Sequence, residues 1–160
     1  MKSLLVLLTA LAVASPILAH RPGAELRGAT PCCLESIFRH GDVECGPCGP
    51  TRGTVLYSEG SHPRIKARAS GMLWKGKDFH CDGTFTNRWA AGIKAGGTGV
   101  CIGPSSLDGQ PCFVMQYSPD AKAFPNVRDE LRRIGPDEWL GRSYDPTTGQ
   151  PKTWFVLKSR

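Results

Sequence analysis

The stretch Met72-Leu73-Trp74-Lys75-Gly76-Lys77-Asp78-Phe79-His80-Cys81-Asp82-Gly83-Thr84-Phe85-Thr86-Asn87-Arg88-Trp89 reads as two β-strands around a tight turn. Met72 to Phe79 and Thr84 to Trp89 carry aromatic and strand-favouring residues, and Asp82-Gly83 between them tolerates the positive φ of a hairpin turn. The same arrangement returns twice downstream. Val100-Cys101-Ile102 and Cys112 to Tyr117 flank Asp108-Gly109, and Leu140 to Tyr144 and Thr153 to Leu157 flank Thr148-Gly149. Upstream, Thr54 to Tyr57 reads as a short strand. Arg64 to Ala69 alternates, with Ile65, Ala67 and Ala69 on one face and Arg64, Lys66 and Arg68 on the other. One segment breaks the pattern. Asn126 is a helix cap, Val127, Leu131 and Ile134 follow at i, i+4, i+7, and Gly135-Pro136 is a stop. The expected fold is mainly all-β: a small antiparallel β-barrel of about eight strands with one short amphipathic helix.

The amino-terminal end has a different texture. Lys2, the apolar run Leu4 to Val13, and the small residues Ala14, Ser15 and Ala19 follow the order of a secretory signal peptide. The apolar run is shorter than the roughly 20 residues that cross a bilayer, so no transmembrane segment is expected. Cleavage after Ala19 divides the chain into a signal peptide (1–19), a cysteine-rich arm (20–53) and a barrel domain (54–160), and makes the protein extracellular. Lys+Arg outnumber Asp+Glu by 20 to 14, so the formal net charge is +6. Such a surface suits anionic partners but says nothing of the fold.

The seven cysteines are Cys32, Cys33, Cys45, Cys48, Cys81, Cys101 and Cys112. In an exported chain they read first as disulfide candidates, with one left over. One pairing joins Cys32 and Cys33 to Cys45 and Cys48 and holds an irregular arm together. Cys45-Gly46-Pro47-Cys48 matches a thioredoxin-like dithiol in letters, but Gly49-Pro50 follows where a helix must start, so two structural cysteines are the expectation. Four thiolates on zinc are disfavoured by the adjacency of Cys32 and Cys33. Cleavage after Ala19 would put His20 at the new terminus, as in secreted copper proteins, with His40, His62 or His80 as a second ligand. No metal or cofactor is expected from these features.

The chemistry-bearing groups are sparse. Gly96-Gly97-Thr98-Gly99 lacks the following helix of a phosphate loop. His80, Asp129 and Glu130 are the candidates for proton transfer, the last two read as neighbours on a solvated helix face. Arg64, Lys66 and Arg68, extended by Lys75 and Lys77, are candidates for holding an anion. Aromatic residues recur on nearly every strand, and Trp74, Phe79, Phe85, Trp89, Met115, Tyr117, Trp139, Tyr144 and Trp154 are the candidate lining of a ligand cavity.

Gly71-Met72-Leu73-Trp74-Lys75-Gly76-Lys77 is similar to the Gly-x-Trp signature of lipocalins, with two residues between Gly71 and Trp74. Trp74, Gly76 and Lys77, then Gly103-Pro104-Ser105 with Leu107, Asp108 and Gly109, then Arg128 to Arg132 and Leu140-Gly141 resemble uncharacterised lipocalin-like (calycin) β-barrel proteins over about half the chain. The cysteine-rich arm resembles small secreted cysteine-rich proteins of filamentous fungi, some of them effectors. This resemblance implies a barrel that binds a small apolar or amphipathic ligand, with Trp74 closing its floor beside Arg128 or Arg142. The alternatives are a secreted effector that contacts an anionic polymer or host protein, and a barrel enzyme that isomerises or cyclises a secondary metabolite. The absence of a convincing catalytic constellation favours a binder over an enzyme.

Overall fold

The computed structural model describes residues 26–117 and 127–160. The signal sequence, His20 and the Asn126 cap lie outside the described residues. Nine strands form one antiparallel sheet among those residues: β1 (Gly49–Ser58), β2 (Trp74–Phe79), β3 (Phe85–Trp89), β4 (Lys94–Ala95), β5 (Gly99–Pro104), β6 (Pro111–Gln116), β7 (Arg128–Gly135), β8 (Glu138–Tyr144) and β9 (Pro151–Ser159). Their order is β4-β3-β2-β1-β9-β8-β7-β6-β5, so each strand pairs with its neighbours in sequence and the first pairs with the last. The interruption falls between β4 and β5, where Val100 donates to the Gly83 carbonyl at 2.9 Å. The result is a curled, open half-barrel of nine strands rather than a closed one of eight.

All three hairpins stand at their turn dipeptides. Gly83, Gly109 and Gly149 adopt φ of +79°, +71° and +68°, and the Asp82 and Asp108 carboxylates accept from the backbone two residues on.

The sheet buries both faces. Phe113 and Met115, Leu131, Trp139, and Phe155 and Leu157 point inward with Trp74, Phe79 and Phe85. The alternate residues Cys112 and Val114, Leu140, and Trp154 and Val156 point outward. That outer face is covered by helix α1 (Pro31–His40), with Thr30 as its cap and Pro31 in its first turn. Leu34 and Phe38 of α1 are fully buried, Phe38 edge-on to Trp154 at 5.8 Å. The segment expected to be an irregular arm therefore contains a packed helix. None of the seven cysteines is paired in this structure; six are exposed and Cys112 is buried. Burial pushes the Cys112 thiol up to about 12, with the Glu130 charge adding to the shift.

Two further expectations are corrected. The Arg64–Ala69 alternation belongs to helix α2 (Pro63–Leu73), which begins at a left-handed His62 followed by Pro63. There, Ala67 turns inward and Ile65 outward, and the three cations no longer share a face. Conversely, the expected helix from Asn126 to Ile134 is strand β7 over its described part, paired to β6 and β8. Tertiary pairing overrides the helical spacing because every charge on β7 finds a fixed partner. Asp129 points inward. Glu130 points outward, accepting from Ser105, Ser106 and Arg128. Arg132 forms a forked pair with Asp108 at 2.7 and 2.8 Å and donates to the carbonyls of Phe38, Gln110 and Pro111.

Candidate functional site

Lys77 on β2 and Asp129 on β7 are separated in the sheet by β1, β9 and β8, which would place them nearly 20 Å apart if the sheet were flat. Their charged heads are instead 2.9 Å apart, because the sheet curls around them. The Lys77 ammonium is 1% exposed and donates to Asp129 Oδ2, to Asn87 Oδ1 at 2.9 Å and to the Tyr117 hydroxyl at 2.6 Å. Tyr117 passes a hydrogen bond on to Asp129, whose other oxygen accepts from Ser143. Trp74 Nε1 donates to Asn87 Oδ1 at 3.0 Å. Four aromatic rings surround the ammonium, with centroids 4.8–5.8 Å away: Trp74, Phe85, Tyr117 and Phe155.

Local geometry explains the placement. Phe79 turns inward, and Lys77, two residues earlier, must follow it. A bulge between Trp74 and Gly76 takes up one residue, so Trp74 faces inward too. Gly76 holds φ +122°, and a Cβ there would sit 2.3 Å from the Thr51 carbonyl oxygen of β1. Only glycine permits that approach.

Above this polar floor lies a cleft of about 540 Å³. Val55, Leu73, Trp74, Trp89 and Phe155 give it apolar walls, while Lys77, Asn87, Tyr117, Asp129, Ser143 and Lys152, the last ion-paired with Asp145 at 3.0 Å, line its polar part. Size and composition match small-molecule sites, which run from roughly 300 to 1,000 Å³ with a few convergent polar groups. The pair is formally neutral, and all three ammonium protons of Lys77 are taken by Asp129, Asn87 and Tyr117, so the floor leaves a ligand acceptor capacity rather than net charge.

Burial pushes the Lys77 ammonium below its ordinary pKa, against the opposing pull of Asp129. Burial, reinforced by the Asp129 charge, holds the Tyr117 phenol well above its ordinary value. On the outer face, burial pushes the Tyr144 phenol up to about 12. A group that keeps its proton longer when folded contributes stability below its unfolded pKa and loses it as pH rises through the folded one. Stability is thus expected to fall between pH 10 and about 12, with Tyr117 and Tyr144 ionising only as the chain unfolds. Phenolate absorbance followed beside far-ultraviolet dichroism checks this; early ionisation of all three tyrosines in the folded state would refute it.

The candidate lining residues divide between the two faces. Trp74, Trp89 and Tyr117 line the cleft, and Phe79, Phe85, Met115 and Trp139 belong to the inner core around it. Trp154 packs on the outer face under α1, where the Arg142 guanidinium stacks over it at 4.7 Å and over Tyr144 at 5.3 Å. Arg128 and Arg142 are therefore remote from Trp74, and the cation beside that ring is Lys77, 5.7 Å from its centroid. The expectation that Lys77 extends the surface cations is corrected by its burial. Of the proton-transfer candidates, Asp129 is in the cleft, Glu130 is on the opposite face and His80 is exposed at the β2–β3 turn. The Cys45–Cys48 loop runs directly into β1 without a helix, and its Cys45 carbonyl accepts from Trp139 Nε1. Among the described residues, no three His, Cys, Asp or Glu side chains cluster as metal ligands.

The fold class defined by these features is a curled antiparallel meander with a polar-floored cleft. No family model matches the chain, and no curated protein matches it. It is similar to a protein from Thermomonospora curvata of known crystal structure, at 17% identity and a TM-score of 0.57, over 86% of this chain and 92% of that one. That likeness concerns the fold alone.

Proposed function

We propose that this protein is a lipocalin-like binder of a small apolar or amphipathic molecule, held in the cleft with its polar end against Lys77, Asp129, Asn87 and Tyr117. The observation that carries the reading is the buried, fully partnered Lys77–Asp129 pair beneath an apolar cleft of about 540 Å³. A core built for stability alone gains little from a buried ion pair, since apolar residues of similar volume serve as well or better. Because the pair is neutral and its donors are already taken, the ligand's polar end is an uncharged hydroxyl, able to donate, in preference to a full charge. The export signal read at residues 1–19 would set the binder outside the cell, where the exposed cysteines are free to form bridges.

Fluorescence titration with all-trans-retinol and with 11-(dansylamino)undecanoic acid tests the reading. Saturable one-to-one binding is expected for both, with the neutral alcohol the tighter ligand. Absence of saturation with either probe would sink the proposal.

A further inference from the structure

Helix α2 carries an apolar stripe that faces away from the protein. Its inward side is marked by Ala67, the helix's buried residue. At 100° per residue, Ile65, Ala69 and Met72 stand opposite, at i, i+4, i+7, with Leu73 beside them. Ile65 is 69% exposed, Met72 63% and Leu73 61%. They are three of the five large apolar side chains exposed among the described residues. Arg64 and Arg68 flank the stripe on one side and Lys66 on the other. None of these cations pairs with a described carboxylate.

The surroundings continue the pattern. A groove beside α2 adds Arg27 and Lys75 to Arg64, Arg68 and Met72. A second, adjoining groove is lined by Arg52, Arg88 and Arg160, and by Lys94, which is paired with Asp78 at 2.8 Å, around the exposed Ile93. Neither groove is lined by an aspartate or glutamate.

We propose that this face docks on a bilayer surface that carries anionic lipid. Helix α2 lies in the plane of the interface, with Ile65, Met72 and Leu73 at the acyl-chain boundary. Arg64, Lys66 and Arg68 reach up their own flanks to the lipid phosphates. Cations alone would suit any polyanion; the stripe between them is what a nucleic acid or polysaccharide leaves unused and a membrane fills. A second copy of the chain would bring the same cations against each other and is disfavoured by charge. Ser70 and Leu73 also line the cleft, so docking sets its wall at the lipid surface, although the docking stands whatever the cleft holds.

Co-sedimentation with vesicles of phosphatidylcholine and phosphatidylserine at 70:30, compared with phosphatidylcholine alone, tests the proposal. The protein is expected to partition at least tenfold more strongly to the anionic vesicles, and less as salt rises. The exposed double variant Ile65→Ser/Met72→Ser should lose at least tenfold in partitioning while its retention on immobilised heparin is unchanged. Equal partition to both vesicles would overturn the proposal. So would an unchanged Ile65→Ser/Met72→Ser variant, which would make the face a general polyanion site. A Met72-dependent dimer in size-exclusion chromatography without vesicle binding would equally overturn it, in favour of self-association.

Discussion

Asp129→Leu is expected to destabilise the protein by about 3–5 kcal/mol, the range seen when one partner of a buried ion pair is removed. The substitution leaves Lys77, 1% exposed, without its counter-ion. Lysine then escapes the penalty by giving up its proton. Holding a group of ordinary pKa about 10.4 neutral at pH 7 costs about 4.6 kcal/mol, at 1.36 kcal/mol for each pH step. The two figures agree in size. Since the folded pKa of Lys77 lies below the unfolded one, the unfolded chain binds the extra proton in between, and folding is favoured as pH rises through that window. The deficit of Asp129→Leu should therefore shrink steadily from neutral pH toward about 10. Lys77→Met added to Asp129→Leu should recover at least half of the loss, because no unpaired charge remains. Urea unfolding of the wild type and the two variants at pH 7 and pH 9.5 measures this. A deficit independent of pH, or a double variant no better than the single, would contradict it.

Arg132→Met is the second large effect, also expected at about 3–5 kcal/mol. Arg132 ties two elements to β7: the β5–β6 hairpin through Asp108, Gln110 and Pro111, and helix α1 through the Phe38 carbonyl and the Phe38 ring, 4.7 Å from its guanidinium. Methionine keeps the apolar stem and abandons a carboxylate and three carbonyls. Hydrogen bonding to Arg132 holds the Asp108 carboxyl below its ordinary range. That contribution is present above the unfolded pKa and disappears as pH falls through the folded one. The deficit of Arg132→Met should thus narrow below about pH 4, the opposite direction from Asp129→Leu. Arg132→Lys keeps a charge but not the fork, and should fall between wild type and methionine. Thermal unfolding by circular dichroism at pH 7 and pH 3 separates these outcomes; equal deficits at both would count against the account.

The three hairpins were legible because Asp-Gly and Thr-Gly turns act locally, through backbone freedom at Gly83, Gly109 and Gly149. The two exchanged segments show where local reading stops. Over six residues, Arg64 to Ala69 satisfies both a period of two and a helical turn. Pro63, which fits a helix's first turn, was the available signal that it belongs to α2. In β7, adjacent charges suggested a solvated helix face. Asp129 and Glu130 instead point to opposite sides of a strand, each to partners 24 residues or more away apart from Tyr117, Ser143 and Arg128. Long-range pairing of that kind leaves no periodic trace. For Lys77 a trace existed: it stands two residues before Phe79, so a strand that buries one buries the other. Tyr117 and Trp74 were recognisable as aromatic lining, but the charge they enclose depends on the curl of the whole sheet.

In the proposed binder the Lys77–Asp129 floor serves a ligand in the cleft rather than the fold alone. Retinol titration of the double variant Lys77→Met/Asp129→Leu, folded by the criterion of its circular dichroism, tests it most directly. The wild type should bind saturably and the variant at least tenfold more weakly, although the variant's cleft is more apolar. Equal affinity in the two proteins would contradict the claim.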